Sequence, residues 1–347
     1  MSRPARLGYE VRPYAQEDEP RVLELLARSL GGGPLGQRSP AFFRWKHLDN
    51  PFGTSFMLVA ERDDRIIGLR AFLRWRFQAA GRTVEAVRAV DTATDPDHQG
   101  LGVFRRLTTT ALAALEGEVD LVFNTPNEKS LPGYLKMGWE PVGRIPVRVR
   151  VRNPVRFGRG FRSLRDAEAS EATSATAAPT VDAPPASEGL GSPEEVDALL
   201  EQARAPSERL STPRDHAFLR WRYGSAPGFD YRVVREERDG RLAGLAVFRV
   251  RARGTLWEST LADVMVGSGD TGTAGRLLRR VIRAASVDHV TGHFPEGSEA
   301  RTAAGRSGFV PTPAGVTFVV NPLRSDLRPD PRRLGSWGLC LGDVEVF

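Results

Sequence analysis

The stretch Ala89-Val-Asp-Thr-Ala-Thr-Asp-Pro-Asp-His-Gln-Gly-Leu-Gly-Val-Phe-Arg-Arg-Leu107 contains the residue types that hold an anion. A strand-like run ends at Asp95-Pro96, and a turn with Gly100 and Gly102 follows. An amphipathic helix begins at once, with Val103, Leu107, Ala111 and Leu115 at helical spacing. Glycines in such a turn let a phosphate approach the backbone. The free amides and dipole of the helix start then bind it. Arg105 and Arg106 add positive charge one turn in. A tight strand-to-helix turn without a ligand would use the same glycines, so Gly-x-Gly alone leaves both readings open. A dinucleotide fingerprint requires a third glycine where Arg105 stands, and no Gly-Lys-Ser/Thr follows, so both phosphate motifs built on those patterns are excluded.

A second segment, Phe123-Asn-Thr-Pro-Asn-Glu-Lys-Ser-Leu-Pro-Gly-Tyr-Leu-Lys-Met-Gly-Trp-Glu-Pro-Val142, reads as a strand end, a polar turn and a short helix carrying Tyr134. A glycine stop at Gly138 and another strand follow. Together the two segments resemble the GNAT superfamily, the acyl-CoA-dependent N-acyltransferases, over roughly residues 8–150. The family's Gln/Arg-x-x-Gly-x-Gly/Ala motif is matched by Gln99-Gly-Leu-Gly102-Val-Phe104, with Phe104 where a small residue is usual. A ring there should narrow or reshape the pyrophosphate cradle. The family's Tyr-x-x-x-Gly-Phe segment is matched by Tyr134-Leu-Lys-Met-Gly138-Trp139. Gly102 and Tyr134 stand 32 residues apart, of the family's usual order.

The resemblance implies acetyl-CoA, or another acyl-CoA, as co-substrate, and direct attack of a primary amine on the thioester. The acceptor would be a small molecule or a peptide. Gln99, Gly100, Leu101, Gly102, Val103, Phe104 and Arg105 would form the cradle, and a backbone amide near Ala93–Thr94 would bond the acyl carbonyl. Tyr134 maps onto the residue that protonates the departing sulfur, and Asp91 onto a carboxylate acting as base or water-holder. Asn127 would contact the cofactor. Each role has a plainer rival. Tyr134 could be a half-buried packing residue, and Asp91 could satisfy a turn or pair an arginine such as Arg88. Asn127 suits a helix N-cap, Glu128 first-turn dipole compensation, and His98 an exposed loop.

The elements around these residues alternate between strand and helix, giving an α/β (α+β) fold. Ser39-Pro-Ala-Phe-Phe-Arg-Trp-Lys46 is echoed by Thr212-Pro-Arg-Asp-His-Ala-Phe-Leu-Arg-Trp-Arg222, and a Pro/Gly turn and two strand-like runs follow each. Two tandem GNAT-like domains result, each a mixed, mostly antiparallel sheet flanked by helices. The expected division is a catalytic domain at 1–157, a flexible linker at 158–192, a second domain at 193–325, and a tail at 326–347. The linker follows from Asp166–Glu195, which has no aromatic residue and few apolar ones, and helix should resume at Pro193 after a Ser192 cap. An insertion loop within one domain is the alternative. Trp337–Val346 alternates like a strand that could complete a sheet. The second domain reads as a degenerate copy: its glycine segment, Leu261–Arg280, lacks the cradle signature, and Ala304 stands where the first copy has Tyr134. Its expected use is to wall an acceptor cleft or bind a partner.

Composition bounds the rest. The 347 residues are 40 % hydrophobic and 27 % charged, with a formal net charge of +6, which favours anionic ligands. No apolar run is long enough to span a bilayer, and no apolar leader segment opens the sequence, so a cytoplasmic protein is expected. One cysteine, Cys340, excludes an internal disulfide and a cysteine-rich zinc site. His289 and His293 lack an evident third ligand, so no metal is expected. The run Val147-Arg-Val-Arg-Val-Arg152, continuing to Arg156, Arg159 and Arg162, reads as an edge strand protected by charge, or as a contact for phosphates, an acidic acceptor or nucleic acid. It has no interleaved aromatics of the kind that stack bases, which argues against nucleic acid. Two rivals to the enzyme reading remain: a non-catalytic binding or regulatory protein, and a tRNA-dependent aminoacyl transferase.

Overall fold

The computed structural model describes residues 8–30, 39–160, 177–203 and 208–344. The chain divides into two compact units. The first comprises residues up to 76, 84–141 and 319–327; the second comprises 77–83, 142–318 and 328 onward. The division is therefore not the sequential one at 157 and 193. Each unit completes its sheet with the last strand of the other half of the sequence.

In the first unit β1 (Glu10–Pro13), β2 (Phe56–Arg62), β3 (Arg65–Ala79), β4 (Arg82–Thr94) and β5 (Leu121–Asn124) lie in that order. The sixth place is taken by Val319–Pro322, which pair antiparallel with β5. β2 and β3 form a hairpin whose turn residues, Asp63 and Asp64, both have positive φ, the backbone twist that suits two-residue hairpins. Side chains alternate across the sheet. Met57, Val59, Leu69 and Ala71 pack with Val22, Leu25, Leu26 and Phe43 from α1 (Glu19–Leu30) and α2 (Pro40–His47). Leu58, Ala60, Phe72 and Val87 pack with Leu107 and Ala111 of α3 (Val103–Leu115) and Tyr134 of α4 (Leu131–Leu135). With helices on both faces, the central strands are buried on both sides.

The short helix carrying Tyr134 is a five-residue segment: Asn127 opens the turn before it, and Pro132 sits in the first turn of α4, where its missing N–H costs nothing.

In the second unit β6 (Glu140–Val151) contributes its residues from Val142 onward. It lies between β11 (Val310–Pro322), here up to Phe318, and β10 (His289–Gly292); β9 (Leu256–Val266), β8 (Arg241–Arg253) and β7 (Tyr231–Arg238) follow. The arginine-rich run is thus an internal strand, not an edge. Arg152 donates to the carbonyls of Ile282 and Ala285, at the end of the helix Thr271–Ala284. Cations are favoured at that end of a helix. Arg148 donates to the Phe309 carbonyl. Arg162 lies outside the described residues.

Part of the expected linker also lies outside them, at 161–176. The remainder is folded: Pro154–Gly160 and Ala186–Gly189 are short helices, and Val181 and Pro185 bridge to Ala285 and Arg232. The helix Pro193–Ala203 begins as expected, with Ser192 Oγ accepting from the Glu195 amide and Glu195 accepting from the Ser192 amide. The tail holds no strand among the described residues. A 3-10 turn at Leu334–Ser336 and a helical turn at Leu341–Val344 replace it. Gly342 packs so tightly on Tyr223 that a Cβ would lie 1.9 Å from its hydroxyl, and Asp343 turns back to accept from the Cys340 amide.

Each unit has the same close packing of a helix on a strand glycine. A Cβ on Gly68 would meet Val103 at 2.5 Å and Leu107 at 3.0 Å; one on Gly244 would meet Thr273 at 2.7 Å and Leu277 at 2.9 Å. In each, a strand glycine lets the helix after the turn sit directly on the sheet. Gly68→Ala should therefore destabilise the protein by about 1–3 kcal/mol, read as a lower urea midpoint; an unchanged midpoint would contradict this packing. A chain ending at residue 160 lacks Val319–Pro322, leaves β5 open at its edge, and should be recovered aggregated rather than as a cooperatively unfolding domain.

Candidate functional site

In the first unit β4 and β5 run parallel and pair only through Ala86–Leu121, Val87–Val122 and Arg88–Phe123. β5 ends at Asn124, whereas β4 continues to Thr94. Beyond Arg88, β4 has lost its neighbour on that side, and a wedge opens beside the last residues of the strand. Ala93 is buried and Thr94 half-buried there.

The chain next makes a 3-10 turn at Pro96–His98 and reaches α3. Asp95 caps the turn and is buried; it accepts from the Asp97 amide and pairs with Arg28 at 3.0 Å. Burial raises this carboxyl, but the Asp97 amide, His98 and Arg28 outweigh it and hold it below the usual range. His98 is half-buried against Asp95 at 3.4 Å, not an exposed loop residue.

Gly100 and Gly102 have φ of 79° and 74°, and a Cβ on either would meet nothing within 4 Å. The backbone there is left-handed and the space in front of it is open. Gly102 is the N-cap of α3, so no side chain caps this helix. Gln99, Gly100, Leu101, Gly102 and Arg105 are exposed around this start, while Val103 points into the core. Phe104 does not fill the cradle. Its ring leans onto α4, edge-on to Tyr134 at 5.6 Å and over Gly133.

Tyr134 is buried, and its hydroxyl accepts from Arg70 Nη1 at 2.9 Å. Arg70, on β3, is 0 % exposed and also donates to Thr92 Oγ1 at 2.5 Å. Its guanidinium lies 4.2 Å from the Phe72 ring centre, 5.3 Å from that of Tyr134 and 6.0 Å from that of Phe104. No acid among the described residues pairs with it, and Nε and Nη2 have no hydrogen-bond partner. An arginine stays charged, and burying an unpaired charge costs several kcal/mol, which ring contacts offset only in part. Sequence reasoning missed Arg70. It lies mid-strand in an apolar run, and the unusual cation in Ile66-Ile-Gly-Leu-Arg-Ala-Phe72 was the available signal.

Asp91 also sits away from open solvent. Its carboxylate is 2.7 Å from Lys46 Nζ and 3.0 Å from His47 Nε2, and His47 Nδ1 lies 2.9 Å from Ser55 Oγ. Its backbone has φ of 41°, which a non-glycine residue keeps only where its surroundings fix it. These contacts tie Asp91 to α2, and Arg88 donates to Thr125. Asn127 Oδ1 accepts from the Ser130 amide, as a turn cap does.

The second unit repeats this frame without its open start. Asp263 stands on β9 as Asp91 does on β4, and it accepts from Tyr223 at 3.2 Å and Arg214 at 2.6 Å. The helix Thr271–Ala284 is capped by Asp270, which accepts from the Thr273 amide and hydroxyl. Burial raises the Asp270 carboxyl, but Thr273, Arg238 and Arg276 outweigh it and keep it below the usual range. A carboxylate thus occupies the place an anion would take. Two residues after the packed strand glycine, where the first unit has Arg70, stands Ala246, and Ala304 stands in place of Tyr134; both are buried.

Among the described residues, no cluster of His, Cys, Asp and Glu could hold a metal ion, and no helix is long and apolar enough to cross a membrane. No curated protein sequence matches the chain significantly. The fold is similar to a GCN5-related N-acetyltransferase from Anabaena variabilis, with TM-score 0.61 and 12 % identity over 91 % of this chain and 73 % of that one. It is similar to a probable N-acyltransferase of unknown function from Enterococcus faecalis, with TM-score 0.63 and 12 % identity over 91 % and 72 %. A third similar structure is Eis1 from Mycobacterium abscessus, with TM-score 0.55 and 16 % identity over 91 % and 73 %. At these identities the likeness speaks to fold. Residues 10–142 match the acetyltransferase (GNAT) domain. The strand wedge and the uncapped glycine start of α3 both lie within this matched segment.

Proposed function

We propose that the protein is an N-acetyltransferase that moves the acyl group of acetyl-CoA, or of a related acyl-CoA, to a primary amine on a small molecule or a peptide. The observation that carries this reading is the helix start at Gly102. It is open, free of a side-chain cap, and directly follows a strand that has lost its neighbour. The residues present fit an acyl-CoA. Free amides at Gly100–Phe104 suit a pyrophosphate, Arg105 adds charge, and exposed Asn127 is within the same unit. The unpaired edge of β4 suits an extended amide chain. We place the protein in the cytoplasm, where acyl-CoA is formed, and propose no role for a metal, a membrane or nucleic acid.

The acyl-CoA supplies an activated carbonyl. A neutral amine adds to it, and a backbone amide near Ala93–Thr94 stabilises the charge on the oxygen. The carbon–sulfur bond then breaks, and the sulfur takes the Tyr134 phenol proton. The ammonium formed on the amine gives its extra proton to solvent, and the Tyr134 phenolate regains a proton from solvent. Asp91, bonded to Lys46 and His47, fits a holding role: it fixes the end of β4 against α2.

Three outcomes test this. Tyr134→Phe should lower turnover with acetyl-CoA by about 10²-fold or more, with little change in KM, because the phenol acts on the leaving group; unchanged turnover would remove Tyr134 from the mechanism. Gly102→Val forces a β-branched residue into left-handed backbone and fills the open start, so acetyl-CoA-dependent thiol release should be lost while the protein stays folded. Release that persists would move the anion site elsewhere. Asp91→Ala strands the buried Lys46 and should cost about 3–5 kcal/mol in stability; a stable variant that loses turnover alone would instead make Asp91 the base.

A further inference from the structure

Resting on the acyl-CoA reading, we propose that Arg70 is a positioning residue that acts through Tyr134 to favour the coenzyme thiolate as it leaves. The hydrogen bond from Arg70 Nη1 settles the direction of the phenol. Because Tyr134 Oη accepts from the guanidinium, its own proton points elsewhere and is available to the sulfur. When the carbon–sulfur bond breaks, the electron pair goes to sulfur, and negative charge forms one hydrogen bond away from a cation with no counter-ion among the described residues. Charge is stabilised most where water is excluded and the stabilising group is already in place. The aromatic box of Phe72, Phe104 and Tyr134 provides both conditions. It also gives Phe104 a use: in place of the small residue of a simple cradle, its ring closes one side of the box.

A structural role does not account for this cation. It ties no carboxylate, and two of its three nitrogens make no bond. Packing alone would be served better by an apolar residue. The second unit supplies that comparison inside the same chain. Its equivalent strand and helix keep the glycine contact, and its core closes around Ala246 and Ala304. The arginine and the tyrosine are absent together, as expected of two residues that work as one group.

The test compares CoA with desulfo-CoA, which lacks the sulfur, by calorimetric titration at pH 8. Wild type should bind CoA about tenfold more tightly than desulfo-CoA, the size of one charge-assisted contact. The thiolate absorbance of bound CoA should appear at lower pH than that of free CoA. Arg70→Met should abolish the preference while leaving desulfo-CoA affinity unchanged, and Arg70→Lys should restore part of it. Equal wild-type affinity for the two coenzymes overturns the role of Arg70 and leaves the acyl-CoA reading standing; this comparison needs no variant to fold. A preference retained in Arg70→Met has the same consequence. Failure of wild type to bind either coenzyme overturns both readings.

Discussion

The end of β4 is a strand without a neighbour. In the middle of a sheet, a backbone amide or carbonyl with no partner is costly, so an interior strand that loses its neighbour needs another source of bonds. β5 stops at Asn124 while β4 continues to Thr94, and the last residues of β4 face a wedge instead of a ladder. Two features keep the wedge in shape. Gly68 lets α3 lie directly on the sheet, which brings the helix start to the strand end. The Asp91 knot with Lys46 and His47 holds a left-handed residue inside β4 and fixes that strand to α2. The cradle and Tyr134 have a defined geometry because these contacts leave β4 and α3 little freedom.

Comparison of the two units separates frame from chemistry. The second unit keeps the hairpin turn, the strand glycine under the helix, the buried aspartate on the strand and a parallel pair that ends early. It has an aspartate at the helix start and alanines where the first unit has Arg70 and Tyr134. The frame is therefore sufficient for folding, and the residues that differ are the ones an acyl transfer would use. An acidic cap stabilises a helix by roughly 1 kcal/mol, so closing the second start with Asp270 is a gain in stability where no phosphate has to enter.

The sequence allowed the frame to be read because local chemistry dictates it. Paired glycines before an amphipathic run define the open start of α3, Asp-Asp and Asp-Gly mark the hairpins, and Ser192-Pro-Glu-Glu marks a helix start. What it hid was long-range. That Val319–Pro322 close the first sheet depends on pairing across some two hundred residues, which no local pattern records. The arginine run from Val147 alternated as an edge strand would, yet it is internal, because its cations bond carbonyls of the neighbouring elements. Asp91 has the residue type of a base, and its contacts with Lys46 and His47 span some forty-five residues, beyond any local pattern. Arg70 is hard to read locally, because a single charge in an apolar strand suggests an exposed position, whereas here it lies buried beside a tyrosine.

The central claim is one acyl-CoA site per chain, at the uncapped start of α3, with the second start closed by its own carboxylate. Calorimetric titration of the full chain with acetyl-CoA near physiological salt tests it most directly. The account predicts saturable binding with a stoichiometry of about one per chain, and affinity that falls as salt screens the phosphates. A stoichiometry of two would contradict the closure by Asp270, and no binding would contradict the site itself.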